Sequence, residues 1–265
     1  MLANEPGLKT YAIDWLGFGR SSRPDFPFRP LEKGSVEQSE DFFVDALEEW
    51  RKANDIDRFI LVGHSLGGYL SAAYALKYPG HVQHLLLVSP VGVPEYSEDA
   101  SSRWNQPDLP WRQRMLINTI KSLWDRGYSP QMVLRTPGVG KRLVNNYAAR
   151  RFPSLPADEV ELLREYTYHI NVRRGSGEYA INTLLQFPAY ARAPLAVRLP
   201  TLAMPSTFLY GKYDWMDASH AHVVAPTMPN GAVVHTLDSA GHFLFLENPD
   251  LFNKLMISSI RRSPH

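Results

Sequence analysis

The residue pattern with the clearest chemistry is Gly-His-Ser-Leu-Gly at positions 63–67. The apolar run 59–62 comes before it, and a segment rich in small residues follows it. A serine hydroxyl can attack an acyl carbon only when it stands clear of the backbone, which a tight strand-to-helix turn between two glycines allows. The pattern therefore predicts that Ser65 is a nucleophile and that the backbone N–H of Leu66 donates to the substrate oxyanion. The alternative is a glycine-rich turn with an idle serine.

A nucleophilic serine needs a general base and a carboxylate that orients this base, and both types of residue follow later in the chain. Asp214 stands three residues after the glycine that ends the apolar run 207–210, and His242 follows the run 233–237. We expect His242 to take the proton from Ser65 and to return it to the leaving group. Asp214 is the preferred acid of the triad, and Asp217, one turn further along, is the alternative.

The other histidines have different interpretations. His64, inside the turn, is expected to pack or to form a hydrogen bond rather than to act as the base. His220 and His222 stand near Asp217, as in some metal sites, but no third residue follows at a spacing typical of a ligand. We therefore expect neither a metal ion nor any other cofactor.

Composition restricts the class of protein. The chain has 265 residues, of which 44% are apolar and 12% aromatic, with a formal net charge of +1 and no cysteine. This length suffices for one good-sized core with an inserted segment. The near-neutral charge, without a basic block, argues against nucleic acid as a partner. No apolar run reaches the roughly 20 residues that a membrane-spanning helix needs, so any membrane contact is expected to be peripheral.

Apolar runs alternate with an amphipathic helical pattern, and this order predicts a doubly wound α/β sheet. Phe43, Leu47 and Trp50 repeat at helical spacing among charged residues. The predicted elements are strands at 10–14, 59–62, 85–88, 207–210 and 233–237 and helices at 40–53 and about 251–260.

Between residues 91 and 202 helical spacing replaces the strand pattern, so we predict a helical cap at 91–202 inserted into a core of 1–90 and 203–265. Residues 91–200 contain 15 Lys and Arg against 10 Asp and Glu. Two interpretations of the cap stay open: a lid that meets anionic lipid, or an ordinary solvated helix face over a core stripe. One predicted helical face contains Trp111, Met115, Leu116, Ile120, Leu123 and Trp124, beside the cations Arg112, Arg114 and Lys121; a second contains Leu162, Leu163, Tyr166 and Ile170.

Three segments resemble one family. Asp-Trp-Leu-Gly-Phe-Gly-Arg-Ser-Ser-Arg-Pro at 14–24, the segment 62–79 around Ser65, and Tyr-His-Ile-Asn-Val at 168–172 with Ser-Gly-Glu at 176–178 are similar to a lipid-acting branch of the α/β hydrolases. That branch includes the adipose-lipase co-activator, the lipase of N-acyl phospholipids and fungal cardiolipin-specific deacylases. The resemblance implies a mostly parallel sheet with helices on both faces and a helical cap. The chain order Ser, Asp, His is also that of the α/β-hydrolase triad.

The resemblance further implies an enzyme that hydrolyses fatty acyl esters of glycerophospholipids in the manner of a cardiolipin deacylase, inside the cell at a mitochondrial or other membrane. One alternative is acyl transfer to lysophosphatidic acid. This alternative is weakened because the family's acyltransferase motif has Asp five residues after the histidine, where this chain has Glu247 after His242. The other alternative is a lipid-binding regulator without catalysis. In the co-activator Asn replaces the nucleophile, whereas Ser65 is present here.

The family also has a strand that ends in His-Gly-x-Gly, upstream of the segment similar to residues 10–14. Its loop supplies the second oxyanion donor, and the strand lies between those matched here by 10–14 and 59–62. This chain starts after that motif. The resemblance therefore predicts that the oxyanion strand is missing, that the chain is truncated and that its activity is impaired.

Overall fold

The computed structural model describes residues 5–96, 109–152 and 155–262. They form two compact units, one drawn from 5–12, 40–96 and 188–262 and the other from 13–39, 109–152 and 155–187. This grouping differs from the sequence boundaries at 91 and 202, which stay a prediction about the domains. Residues 13–39 belong to the same unit as most of the predicted cap.

The first unit contains a four-stranded sheet. Its strands are β1 (Phe59–His64), β2 (Val82–Val88), β5 (Ser206–Gly211) and β6 (Ala232–Leu237), in the order β1-β2-β5-β6. Every neighbouring pair in this sheet is parallel. Four of the predicted strands are therefore present, each longer than the apolar run that indicated it. The two-residue strands β3 (Leu185–Gln186) and β4 (Tyr190–Ala191) lie outside this sheet.

Helices alternate with the strands as the sequence predicts. The segment 40–53 is helical, and its helix begins earlier, at Ser35. The helices are α1 (Ser35–Ala53), α2 (Leu66–Lys77), α3 (Trp111–Asp125), α4 (Pro130–Leu134), α5 (Gly140–Arg151), α6 (Ala157–Asn171), α7 (Ala180–Leu184), α8 (Ser219–Val224), α9 (Leu244–Glu247) and α10 (Pro249–Arg261). Short 3-10 turns occupy Pro79–His81, Gly177–Tyr179, Leu195–Val197, Leu199–Thr201 and Ala225–Thr227.

The core lies on both faces of the sheet. Leu86 and Val88 of β2 pack in one cluster with Phe252 and Met256 of α10. Side chains alternate along a strand, so Leu85 and Leu87 of β2 point to the opposite face, and they are also fully buried. A strand buried on both faces has a continuous apolar sequence, which is why the run 85–88 predicted β2.

Hydrogen bonds in the second unit join two of the segments that carry the family resemblance. The hydroxyl of Ser176 donates to the carbonyl of Pro24 at 2.5 Å. Arg23 donates to the carbonyl of Ile170 at 3.0 Å. The backbones of Gly17 and Gly177 approach so closely that a Cβ at Gly17, where φ is +82°, would collide with Gly177. Residues 14–24 and 176–178 therefore form one structural cluster.

The predicted strand at 10–14 is wrong, because the structure has no strand there. Instead, the Asp14 carboxylate accepts a hydrogen bond from the Arg20 N–H at 2.9 Å within a local loop. A strand is stable only when its backbone groups pair with a neighbour. Within the described ranges β1 lies at the edge of its sheet, and no strand pairs with residues 10–14. None of the helices in the described part of the chain is long and apolar enough to cross a membrane.

Candidate active site

Ser65 occupies a strained turn between β1 and α2. Its backbone has φ 55° and ψ −119°, a conformation that residues other than glycine rarely adopt. The turn is held by hydrogen bonds from Ser65 N–H to the Val88 carbonyl at 2.9 Å and from Gly68 N–H to the Ser65 carbonyl at 3.0 Å. A Cβ at Gly63 would collide with the Gly67 carbonyl and the Ser71 hydroxyl. The small residues of the motif therefore allow the strand and the helix to approach each other.

The structure brings Ser65, His242 and Asp214 into one hydrogen-bonded row. The distance from Ser65 Oγ to His242 Nε2 is 3.1 Å. The distance from His242 Nδ1 to Asp214 Oδ1 is 2.9 Å. Because the carboxylate accepts from Nδ1–H, the neutral imidazole presents Nε2 as an acceptor for the serine O–H. The three side chains are thus arranged as general-base activation of a serine requires.

Asp214 stays ionised although its side chain is fully buried. Burial raises the pKa of this carboxyl, but hydrogen bonds from His242 and from the Met216 N–H, together with the nearby Ser89, outweigh burial, so the pKa of Asp214 is lowered. The Met216 N–H donates to Oδ1 at 3.0 Å. The buried carboxylate therefore stays an acceptor for the His242 Nδ1–H.

Parallel strands explain why three residues so distant in sequence meet. Ser65 follows β1, Asp214 follows β5 and His242 follows β6, so all three stand beyond the carboxyl edge of the same sheet. The loops after β5 and β6 are joined by a hydrogen bond from Tyr213 N–H to the Ala240 carbonyl at 2.9 Å. Gly211 is required at this point because a Cβ there would collide with the Gly241 carbonyl.

Asp217 has a different position from Asp214. It is exposed, and its Oδ1 accepts a hydrogen bond from the Ser219 N–H at 2.8 Å at the start of α8. The loop therefore brings Asp214, and not Asp217, to the imidazole of His242.

Leu66 is the first residue of α2, so its N–H is among the amides for which a helix provides no internal acceptor. The helix N-terminus also carries a partial positive charge. Both properties suit an oxyanion donor directly beside the serine.

His64 supports the loop that carries His242. Its Nε2–H donates to the backbone carbonyl of His242 at 2.8 Å. Burial, and then the nearby His242, lower the pKa of His64 to about 4. The ring is therefore neutral at physiological pH, in agreement with its assignment to packing and hydrogen bonding. Aromatic rings also surround the base, with the ring centroids of Trp215 and His242 5.4 Å apart.

Two further residues contact the site, and the sequence did not indicate that they support it. Ser89, fully buried directly after β2, lies beside Asp214 and helps to lower the pKa of its carboxyl. The carboxylate of Glu247 accepts a hydrogen bond from the Gly241 N–H, next to the base. The position of Ser89 directly after the run 85–88 could have indicated its place at the site, since residues that follow parallel strands meet at the carboxyl edge of the sheet. Glu247 holds the loop that carries His242. The spacing of five residues between His242 and Glu247 does not by itself reveal this contact.

His220 and His222 are exposed on α8. In the part of the chain that the structure describes, no group of three or more His, Asp or Glu side chains could hold a metal ion.

Comparison with known proteins shows the family of the chain. The family model described as alpha/beta hydrolase fold matches residues 2–249. The chain is 38% identical over 261 residues to the probable 1-acylglycerol-3-phosphate O-acyltransferase of Oryza sativa subsp. japonica, and the match covers 96% of this chain and 61% of the rice protein. It is 35% identical over 253 residues to the (lyso)-N-acylphosphatidylethanolamine lipase of Bos taurus, covering 93% of this chain and 69% of the bovine protein. The chain thus spans less than two thirds of the rice relative.

Solved structures share the fold. A thermophilic esterase from Thermogutta terrifontis, with malate bound, superposes with a TM-score of 0.63 at 18% sequence identity, covering 94% of this chain and 78% of the esterase. At this identity the likeness concerns the fold alone.

Proposed function

The chain belongs to the alpha/beta hydrolase fold family, and from this premise we propose that it is a serine hydrolase of carboxylic esters. The observation that carries the proposal is the row of hydrogen bonds from Ser65 through His242 to Asp214. An idle serine would need neither a strained backbone nor an imidazole held by a buried carboxylate.

The reaction proceeds in two acyl-transfer steps. Ser65 Oγ attacks the ester carbonyl carbon while its proton moves to His242 Nε2, and Asp214 stabilises the imidazolium. The Leu66 N–H donates to the oxyanion of the tetrahedral intermediate. The intermediate collapses to an acyl-serine, and His242 gives the proton to the departing alcohol. Water, deprotonated by His242, then releases the fatty acid and restores the serine.

We propose fatty acyl esters of glycerophospholipids as the substrates, with cardiolipin among the first to test. Similarity to the bovine lipase and to the rice protein, whose names both refer to phospholipid chemistry, supports this class. A second candidate is acyl transfer to lysophosphatidic acid, which the name of the rice relative favours. Both reactions use the same acyl-serine and differ in whether water or a lysolipid hydroxyl attacks it.

Two assays test the proposal in order. A fluorophosphonate probe should label the wild-type chain and Ser219→Ala, an exposed serine, but should not label Ser65→Ala. Absence of labelling on a folded sample would instead support the alternative of a lipid-binding regulator. Acyl-labelled cardiolipin, incubated with and without lysophosphatidic acid, then separates the reactions: free fatty acid supports hydrolysis, and new phosphatidic acid supports transfer.

A further inference from the structure

Helix α3 of the second unit exposes its apolar face. Trp111 is 66% exposed, Met115 62% and Leu116 60%. The sequence left open that these apolar residues form a core stripe under a solvated helix face. That interpretation is wrong for most of them, since only Trp124, 8% exposed, is buried. An apolar stripe indicates that a face should be covered, but it does not reveal what covers it.

The helix contacts its own unit through a different side. The Trp124 Nε1–H donates to the Leu185 carbonyl at 2.9 Å, and Ile117 is the other apolar residue of α3 that is not exposed. At about 100° per residue, Ile117 and Trp124 fall on one half of the helix circumference. The opposite half contains Trp111, Met115, Leu116 and Leu123, all exposed, whereas Ile120, 41% exposed, lies next to Trp124 on the first half. Internal packing of the unit therefore leaves this face uncovered.

Charge indicates the chemistry of the partner. Residues 109–152 contain nine Lys and Arg and one Asp, although the whole chain has a net charge of only +1. On α3 itself Arg112, Arg114 and Lys121 are exposed, and none forms an ion pair with an acid among the described residues. A helix with exposed Trp and Leu side chains and with exposed cations outside ion pairs is typical of helices that lie in the interface of an anionic membrane.

We propose that α3 docks this chain onto bilayers that contain anionic phospholipids. Trp111, Met115 and Leu116 insert at the boundary between headgroups and acyl chains, and Arg112, Arg114 and Lys121 contact lipid phosphates. A protein surface is the less suitable occupant, because it would need both an apolar groove and a dense acidic rim. The proposal concerns binding alone and does not require that the chain hydrolyses esters.

Vesicle flotation with the full chain tests the proposal. The Ser65→Ala background is used throughout, so that turnover cannot change the vesicles. We expect binding to vesicles of 70% phosphatidylcholine and 30% phosphatidylglycerol, and weak binding to pure phosphatidylcholine. Replacing Arg112, Arg114 and Lys121 by Gln should lower the partition coefficient by about 100-fold, since each cation contributes about a factor of five. A matched set at exposed sites of the first unit, Lys9→Gln, Arg58→Gln and Lys254→Gln, should change it by less than about threefold.

The absence of cysteine permits a second readout. A polarity-sensitive dye on Leu116→Cys should shift to shorter wavelength with the anionic vesicles, whereas the same dye on Lys254→Cys should not. Equal binding by the α3 variant and its matched control, or no shift at position 116, would overturn the proposal. So would a dimer that Met115→Gln and Leu116→Gln dissociate without any vesicle binding, since the face would then join two copies of the chain. Unchanged thermal midpoints would show that the variants are folded.

Discussion

Backbone strain is concentrated around the site. Among the described residues five that are not glycine have positive φ, and three of them, Ser65, Ser89 and Ser239, stand in loops after strands β1, β2 and β6. Each such residue costs on the order of 1–3 kcal/mol, which the surrounding hydrogen bonds must offset. These bonds include Ser89 N–H to the Leu209 carbonyl at 2.8 Å. The strained backbone of Ser65 places its hydroxyl within hydrogen-bonding distance of His242.

The two candidate acids give a direct prediction. Asp214→Asn should lower the rate of fluorophosphonate labelling by about 1,000-fold or more, because an amide cannot stabilise the imidazolium. Asp217→Asn removes a similar carboxylate, three residues away, that does not reach the base, and it should change the rate by less than about twofold. Labelling rates at one pH measure both. Equal losses in the two variants would contradict the assignment.

His64 gives a prediction about pH. His64→Phe keeps a ring but removes the donor to the His242 carbonyl, and it should slow labelling by about tenfold. Because the pKa of His64 is about 4, the ring of the folded wild type is neutral from pH 5.5 to 9. The ratio of wild-type to variant rates should therefore stay constant across that range. A ratio that changed sharply near pH 6.5 would mean that His64 itself titrates.

At the scale of elements, an ionic cluster of buried and partly buried groups joins α2 to the part of α1 that begins at Glu40, within the first unit. Arg198 donates to Glu40 of α1 at 2.6 and 2.8 Å. The hydroxyl of Tyr69 on α2, one turn after the nucleophile, donates to the same carboxylate at 2.5 Å. Burial and the Glu40 charge raise the pKa of Tyr69, so the hydroxyl stays a donor. The cluster therefore fixes α2, and with it the turn at Ser65.

Breaking this cluster should destabilise the chain. Glu40→Gln leaves the Arg198 guanidinium partly buried without its counter-charge, and we expect the free energy of unfolding to fall by about 3 kcal/mol. Glu37→Gln, on the exposed side of the same helix, should change it by less than about 0.5 kcal/mol. Urea denaturation measures both values. A neutral result for Glu40→Gln would show that water replaces the lost carboxylate.

At the scale of the whole molecule, buried histidines make stability depend on pH. Burial, followed by neighbouring positive charge, lowers the pKa of both His64 and His84 to about 4. In the unfolded chain these histidines take up protons below about pH 6.5. Between pH 4 and 6.5 the unfolded state therefore binds more protons, so stability rises with pH through this range and is lost on acidification.

We expect the thermal midpoint to fall by about 5 °C or more when the pH is lowered from 6.5 to 4.5. Above pH 7, His64 and His84 should contribute little to any change in the midpoint. Replacing His84, which lies 2.9 Å from the Thr207 hydroxyl, by Gln should flatten the dependence. His222→Gln, at an exposed position, should leave it unchanged. Scanning calorimetry over this range measures the slope. Equal slopes in the wild type and His84→Gln would contradict the assignment to His84.

Local signals were enough for the elements that have a strong pattern. The runs 59–62, 85–88, 207–210 and 233–237 indicated the four strands of the sheet. Those at 85–88 and 207–210 belong to strands buried on both faces, which favours a continuous apolar run. The run 10–14 has a similar pattern but is not a strand, since pairing requires a neighbour that a local pattern cannot reveal. That the family's oxyanion strand is missing stays a prediction.

The amino-acid sequence by itself determined the types of residue that the chemistry needs: a serine between glycines, an acid after one strand and a histidine after another. Only the tertiary structure decided that Asp214 rather than Asp217 faces His242, that Ser89 and Glu247 support the row, and that the apolar face of α3 is exposed. The physical reason is that spacing along a chain reflects local backbone preferences. Distances between loops and the covering of a helix face depend on how separate elements pack.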